Sequence, residues 1–175
     1  MSKTKKLAIA AMIAAACFAL LYLAAVIGQV RLAVTALAGI FPAAVVIVCG
    51  SWWAFGTFAA AGILALLLLP DKSPALWFLF FFGHYPIWKA LIEILQTRLK
   101  KPALGWALKI VGFSVCMAVF YLLFRDLFLA SLPELTSTWI LGFLAAVLLI
   151  CFVLYDIAFS IMIGFFRIRI LPRIK

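Results

Sequence analysis

The chain has 175 residues, of which 70% are hydrophobic and 11% charged, with a mean hydropathy of +1.32; an average soluble domain has roughly 45–50% apolar and about 25% charged residues. That balance excludes a water-soluble domain. The 15 Lys and Arg against 5 Asp and Glu give a formal charge of +10, and because the cations collect at the ends of apolar runs they fit helix ends facing anionic lipid better than a nucleic-acid surface.

Lys3, Lys5 and Lys6 precede the first apolar run, Leu7 to Ile27. At 1.5 Å per residue, about 20 residues cross a hydrocarbon core about 30 Å thick. The run continues unbroken past Ala14, Ala15, Ala16 and Cys17, which predicts a full span rather than the short apolar region of a cleaved leader. After the polar link Gly28-Gln29-Val30-Arg31, Leu32 to Cys49 forms a second run in which Pro42 predicts a kink. Gly50 and Ser51 punctuate before Trp52 and Trp53, rings suited to a membrane interface, and a third span runs to Leu69. Pro70-Asp71-Lys72-Ser73-Pro74 is the clearest turn.

The fourth segment begins at Ala75, stays apolar to Phe82, changes character at Gly83-His84-Tyr85-Pro86 and continues amphipathically to a close at Arg98, Lys100, Lys101 and Pro102. A fifth span runs from Leu104 to Phe124 and carries Lys109. Arg125 to Glu134 reads as a mixed loop or short helix, and a sixth span, Trp139 to Phe166, contains Asp156 and ends in Arg167, Arg169, Arg173 and Lys175. The predicted fold is therefore all-α, a polytopic integral membrane bundle of about six transmembrane helices. It forms a single transmembrane domain over 1–175, with spans near 7–27, 32–49, 52–69, 75–95, 104–124 and 139–166.

Orientation follows from the cations. With the amino terminus inside, ten of them (Lys3, Lys5, Lys6, Arg98, Lys100, Lys101, Arg167, Arg169, Arg173, Lys175) fall inside against Arg31, Lys72 and Arg125 outside. The positive-inside rule then puts both termini in the cytoplasm and the protein in the cytoplasmic (inner) membrane as a multi-pass chain.

Ionisable groups within a membrane are expensive and mark bundle interiors, mutual pairs or substrate paths. Four qualify: Lys89, Glu93, Lys109 and Asp156. Counted from the nearest inner cations, Lys89, Lys109 and Asp156 lie roughly 12–17 Å deep at 1.5 Å per residue, on three helices. Glu93 follows Lys89 by one turn, so that Tyr85, Lys89 and Glu93 share a stripe. Two readings stand: an ion-pair network that fixes packing, with Lys89 approaching Asp156 and Glu93 or Lys109 close by, or a set of groups coupled to substrate or ion movement. Nearer the outer side, His84 and Tyr85 flank the break at Pro86. With Trp77, Tyr121 and Arg125, and with Gln29 and Arg31 of the first outer link, they are candidate substrate-binding residues.

Catalytic signatures are missing from the sequence. There is no GxSxG, HExxH, phosphate loop or dinucleotide fingerprint, and Cys17, Cys49, Cys116 and Cys151 are too widely spaced for a CxxC or Cys/His ligand set. The expectation is a non-enzyme without catalytic residue, metal or cofactor, which draws any energy for transport from partners or ion gradients.

In the first span Ala11, Ala15 and Ala19 form an AxxxAxxxA stripe with Ala8 on the same face, and Ala10 with Ala14 makes a neighbouring ridge. Small residues four apart let helices approach closely, within a protein or between subunits. Together with the short six-span chain, the basic ends, the Pro-containing second span and the Gly-Trp-rich third, this stripe resembles the S components of energy-coupling-factor transporters. The resemblance implies that Ala11, Ala15 and Ala19 dock on a transmembrane coupling subunit driven by ATPase subunits. It also implies that a micronutrient binds in the outer half. By the resemblance that micronutrient is a vitamin, its precursor or a metal ion; a metal-ion S component would be expected to offer a histidine-rich amino-terminal site, whereas this chain has only His84, and a vitamin-like small-molecule substrate is the expectation. A different class, a polytopic scaffold such as the small cell-shape membrane proteins, has similar size and helix number.

Overall fold

The computed structural model describes the backbone of residues 1–100, 102–131 and 138–169, and their side chains except at 102, 124–131, 138–141, 144 and 166–169. Among the described residues there is no strand. The helices are α1 (Lys3–Val26), α2 (Arg31–Ala38), α3 (Ile40–Cys49), α4 (Ser51–Leu68), α5 (Ser73–Trp77), α6 (Tyr85–Leu99), α7 (Pro102–Ser131) and α8 (Thr138–Arg169), with a 3₁₀ turn at Gly28–Val30 and a π turn at Phe78–Phe82. Six stretches are long and apolar enough to cross a membrane: Lys3–Val26, Gly28–Cys49, Ser51–Leu68, Ser73–Leu99, Ala103–Leu123 and Ala145–Phe165. The protein is thus an all-α, multi-pass membrane protein. Two compact units divide it, Met1–Gly105 and Trp106–Lys175.

In the first unit, Ser2 caps α1 by accepting from the Lys5 amide at 3.3 Å. The buried side of α1 is Ala10, Ala14, Cys17, Leu21 and Ala24, a helical stripe of mostly small side chains. It lets α4 come close enough for the Thr57 hydroxyl to donate to the Ala10 carbonyl at 3.4 Å. The second span breaks at Gly39, three residues before Pro42. Proline lacks the N–H that would serve the carbonyl four residues back, and its ring crowds that carbonyl. The carbonyl is Ala38's, and the buried Cys17 thiol of α1 donates to it at 3.5 Å. A polar group freed inside a membrane protein is thereby satisfied from a neighbouring helix. Gly50 turns the chain from α3 into α4 at φ 101°, a conformation that favours glycine.

The fourth span contains a second break. Phe78–Phe82 winds with one extra residue per turn, and the Gly83 amide reaches the Phe78 carbonyl at 2.7 Å. Pro86 follows in the first turn of α6, where a missing N–H costs nothing. In the second unit α7 continues through Arg125 to Ser131, seven residues beyond the predicted end of the fifth span. Leu, Arg and Ala, good helix formers, make up most of Leu122 to Ala130, and the next proline, Pro133, disfavours helix only from the residue before it. The remainder of the predicted loop, including Glu134, lies outside the described residues.

Candidate functional site

Helical spacing brings Tyr85, Lys89 and Glu93 onto one side of α6, as expected. The Lys89 ammonium lies 3.5 Å from the Glu93 carboxylate and 6.0 Å from the centre of the Tyr85 ring. Lys89 is 1% exposed while the Glu93 side chain is 46% exposed. The lysine therefore stretches from a buried position toward a carboxylate that reaches the surface, with its ammonium over an aromatic ring.

The packing around Ile87 locates Lys89 along the first unit. Ile87, two residues earlier, packs with Ala10, Val45, Cys49 and Ala54. That cluster adjoins the α3–α4 connection, where the Cys49 thiol meets the Lys6 carbonyl at 4.0 Å. Lys89 thus sits near the lysine-bearing end of the first unit. The last three turns of α6 run on past this cluster.

In the second unit the Lys109 ammonium donates to Asp156 Oδ2 at 3.0 Å, and both side chains are buried. The Trp106 ring, one turn before on α7, lies 5.2 Å from that ammonium. Phe113 and Phe152 stack 4.2 Å apart one turn further along each helix. The two contacts share one antiparallel register, four residues up α7 matching four residues down α8, so a single seam of α7 and α8 holds both the ion pair and the ring stack. The Ser160 hydroxyl donates to the Asp156 carbonyl at 2.7 Å. Asp156 was predicted to meet Lys89, with Lys109 close by. The Lys109 half is present within the second unit, while the Lys89 half joins the two units and stays an expectation.

His84 is half-buried at the π turn. Its Nδ1 lies 3.1 Å from the Leu79 carbonyl; a carbonyl only accepts, which assigns the proton to Nδ1. The ring meets Phe58 edge-on at 6.3 Å. His84 therefore helps to satisfy the irregular backbone of the break.

Arg31 and Asp71 join the two links at the opposite end of the first unit. Arg31 Nη1 is 2.6 Å from Asp71 Oδ2, and Asp71 Oδ1 accepts from the Ser73 amide at 2.9 Å and its hydroxyl at 2.7 Å. The Ser73 hydrogen bonds, foremost the backbone one, and then the Arg31 guanidinium hold the Asp71 carboxyl below the usual carboxylate range. Because the folded value is depressed, this contribution to order is fully present above the ordinary carboxylate pKa of about 4 and disappears as pH falls through the lower folded value. Amide exchange in the 69–73 link is expected to stay slow down to about pH 4 and to accelerate below it. Asp71→Asn should abolish that acid step, and an unchanged step in the variant would contradict the assignment.

Of the other candidate binding residues, Gln29 is exposed in the 3₁₀ turn and Trp77 is half-buried with its ring 5.2 Å from Phe81. Tyr121 is half-buried in the second unit, and the Arg125 side chain lies outside the described residues. Within the first unit the structure brings Arg31 to Asp71 and Tyr85 to Lys89. Ala11, Ala15 and Ala19 are exposed, whereas the ridge of Ala10 and Ala14 is buried. Sequence reasoning missed Cys17, Phe58 and the Asp71–Ser73 cluster. Only Pro42 signalled a need for the first, by leaving the Ala38 carbonyl in want of a donor.

The chain matches no protein-family model, no curated protein and no solved structure. The class the fold and charges define is a small multi-pass helical membrane protein with paired charges on its apolar helices.

Proposed function

We propose that the protein is the substrate-binding membrane subunit of a vitamin-like micronutrient uptake transporter, of the S-component kind, energised by ATPase subunits through a transmembrane coupling partner. In this reading it lies in the cytoplasmic membrane with both termini inside. The observation that carries the proposal is the division of labour on α1. Ala10 and Ala14 pack inward, while Ala11, Ala15 and Ala19 leave a flat, exposed face of methyl groups on the same helix. Such a face lets a second helix approach to backbone contact. His84, Tyr85, Trp77, Gln29 and Arg31, with Tyr121 and Arg125, are the residues assigned to the substrate.

The test is purification from the native host in mild detergent, with mass spectrometry of co-purifying proteins and small molecules. The expected result is a coupling subunit with its ATPases and a bound micronutrient. Ala15→Trp, on the exposed face, should leave the protein folded and reduce recovery of the partner by at least about tenfold, as a misfit of a few kcal/mol implies. Undiminished recovery would remove the docking role of the stripe. A scaffold is the second reading, favoured by the pairing of Lys89 with Glu93 and of Lys109 with Asp156 inside each unit, because charges that neutralise each other locally are sufficient to fix packing. Recovery of cell-wall or division proteins without ligand or ATPase would establish that reading instead.

A further inference from the structure

Beyond Ile87, Lys89 and Ile92 are the buried side chains of α6, and the rest of the stretch is largely uncovered. Ile87 belongs to the cluster at the α3–α4 connection, and Leu99 lies twelve residues on, about 18 Å of helix at 1.5 Å per residue. Between Leu91 and Lys100 every residue except Ile92 and Gln96 is exposed. The exposed apolar side chains Trp88, Leu91, Leu95 and Leu99 recur at helical spacing on one stripe, with Ile94 beside it. Glu93, Thr97 and Lys100 lie on the polar side, and Arg98 borders the stripe.

The same end of the unit is strongly basic. The first turn of α1 carries exposed Lys3 and Lys5 and half-buried Lys6, and the Lys6 carbonyl adjoins the α3–α4 connection. Arg98 and Lys100 add two exposed cations at the close of α6. Against these five stands the Glu93 carboxylate, which already faces Lys89. Trp52, 84% exposed at the start of α4, and Trp88 supply the amphipathic rings typical of a headgroup boundary. An amphipathic helix end flanked by aromatic rings and cations matches a surface with acyl chains on one side and negative charge on the other.

We propose that the lysine-bearing end of the first unit binds anionic phospholipid headgroups. The end of α6 lies in the headgroup boundary with Trp88, Leu91, Leu95 and Leu99 among acyl chains, and Lys3, Lys5, Arg98 and Lys100 meet phosphates. Each cation near such a surface is worth about a fivefold change in partition. The inference is independent of any transport substrate.

The test uses the full-length protein in an uncharged detergent, supplemented with phosphatidylglycerol or phosphatidylcholine of the same acyl composition. Bound lipid is counted by native mass spectrometry, and the melting temperature is followed in parallel. Phosphatidylglycerol should be retained over phosphatidylcholine by at least about tenfold, below the roughly 25-fold that two such cations would give together. Replacing Lys3, Lys5, Arg98 and Lys100 together by Gln should bring the ratio near one. A charge-conserving set, Lys3→Arg, Lys5→Arg, Arg98→Lys and Lys100→Arg, should keep the preference and thereby controls for folding. Lys72→Gln at the other end should change nothing. Equal retention of the two lipids by the wild-type protein, an undiminished preference in the Gln variant, or an equal thermal shift from inorganic phosphate alone would each overturn the proposal.

Discussion

Asp156→Ala is expected to lower the stability of the folded protein by about 3 kcal/mol, the low end of the cost of breaking a buried pair from one side. The carboxylate lies 3.0 Å from the Lys109 ammonium and both side chains are buried, so truncation takes from a desolvated cation its nearest opposite charge. The low end applies because in a membrane the unfolded reference is not water. A lysine on a separated helix can snorkel toward headgroups, and this reduces the difference between the states. Lys109→Met should cost a similar amount. The apolar double variant Lys109→Met with Asp156→Leu should recover to within about 1 kcal/mol of the wild type, since paired apolar replacements avoid desolvation altogether. Reversible unfolding of the four proteins in bicelles measures the cycle, and a single variant within about 0.5 kcal/mol of wild type would show that the pair carries no energy. The charge-swapped pair Lys109→Asp with Asp156→Lys separates the two functional readings. A scaffold regains function when stability returns, whereas a transporter that uses the pair in coupling stays inactive.

What was legible in the sequence followed from periodicity and composition. The six apolar stretches, the break near Pro42, the change of character at Gly83-His84-Tyr85-Pro86 and the Tyr85–Lys89–Glu93 stripe all depend on spacing within one helix, and the structure shows each of them. The α1 alanines were legible as two ridges, but not as which ridge faces the core. That choice depends on α4 offering Thr57 to the Ala10 carbonyl, a contact between residues 47 apart. Lys109 and Asp156 were legible as members of one charge network, but their direct pairing rests on the register of α7 against α8, which no local pattern encodes.

The other large effect is expected at Gly83, where the sequence showed a helix breaker and the structure shows a close approach. Gly83 has ordinary helical angles, φ −78° and ψ −41°, so its backbone does not require glycine. Its surroundings do: a Cβ there would stand 2.7 Å from Phe58 Cδ2 and 2.7 Å from both Cε1 and Cζ of Phe78. Neither ring has an easy retreat. Phe78 is fully buried, and Phe58 is engaged by Phe78 at 5.8 Å and by His84 at 6.3 Å. Gly83→Ala should therefore cost about 2 kcal/mol, the usual range for overpacking a rigid site. Gly62 gives the contrast, because an added Cβ there meets only the branched end of Leu79, which can rotate away, and its substitution should cost less than about 1 kcal/mol. Gly56, with nothing within 4 Å, sits inside α4 and should gain about 0.5–1 kcal/mol on becoming alanine through helix propensity. Melting temperatures of the three variants in one detergent test the order Gly56→Ala above wild type, then Gly62→Ala, then Gly83→Ala. If Gly83→Ala proves as mild as Gly62→Ala, the aromatic packing around the π turn is looser than its geometry implies. His84, whose ring rests on Phe58, would then lose its claim to be a rigidly held member of the candidate site.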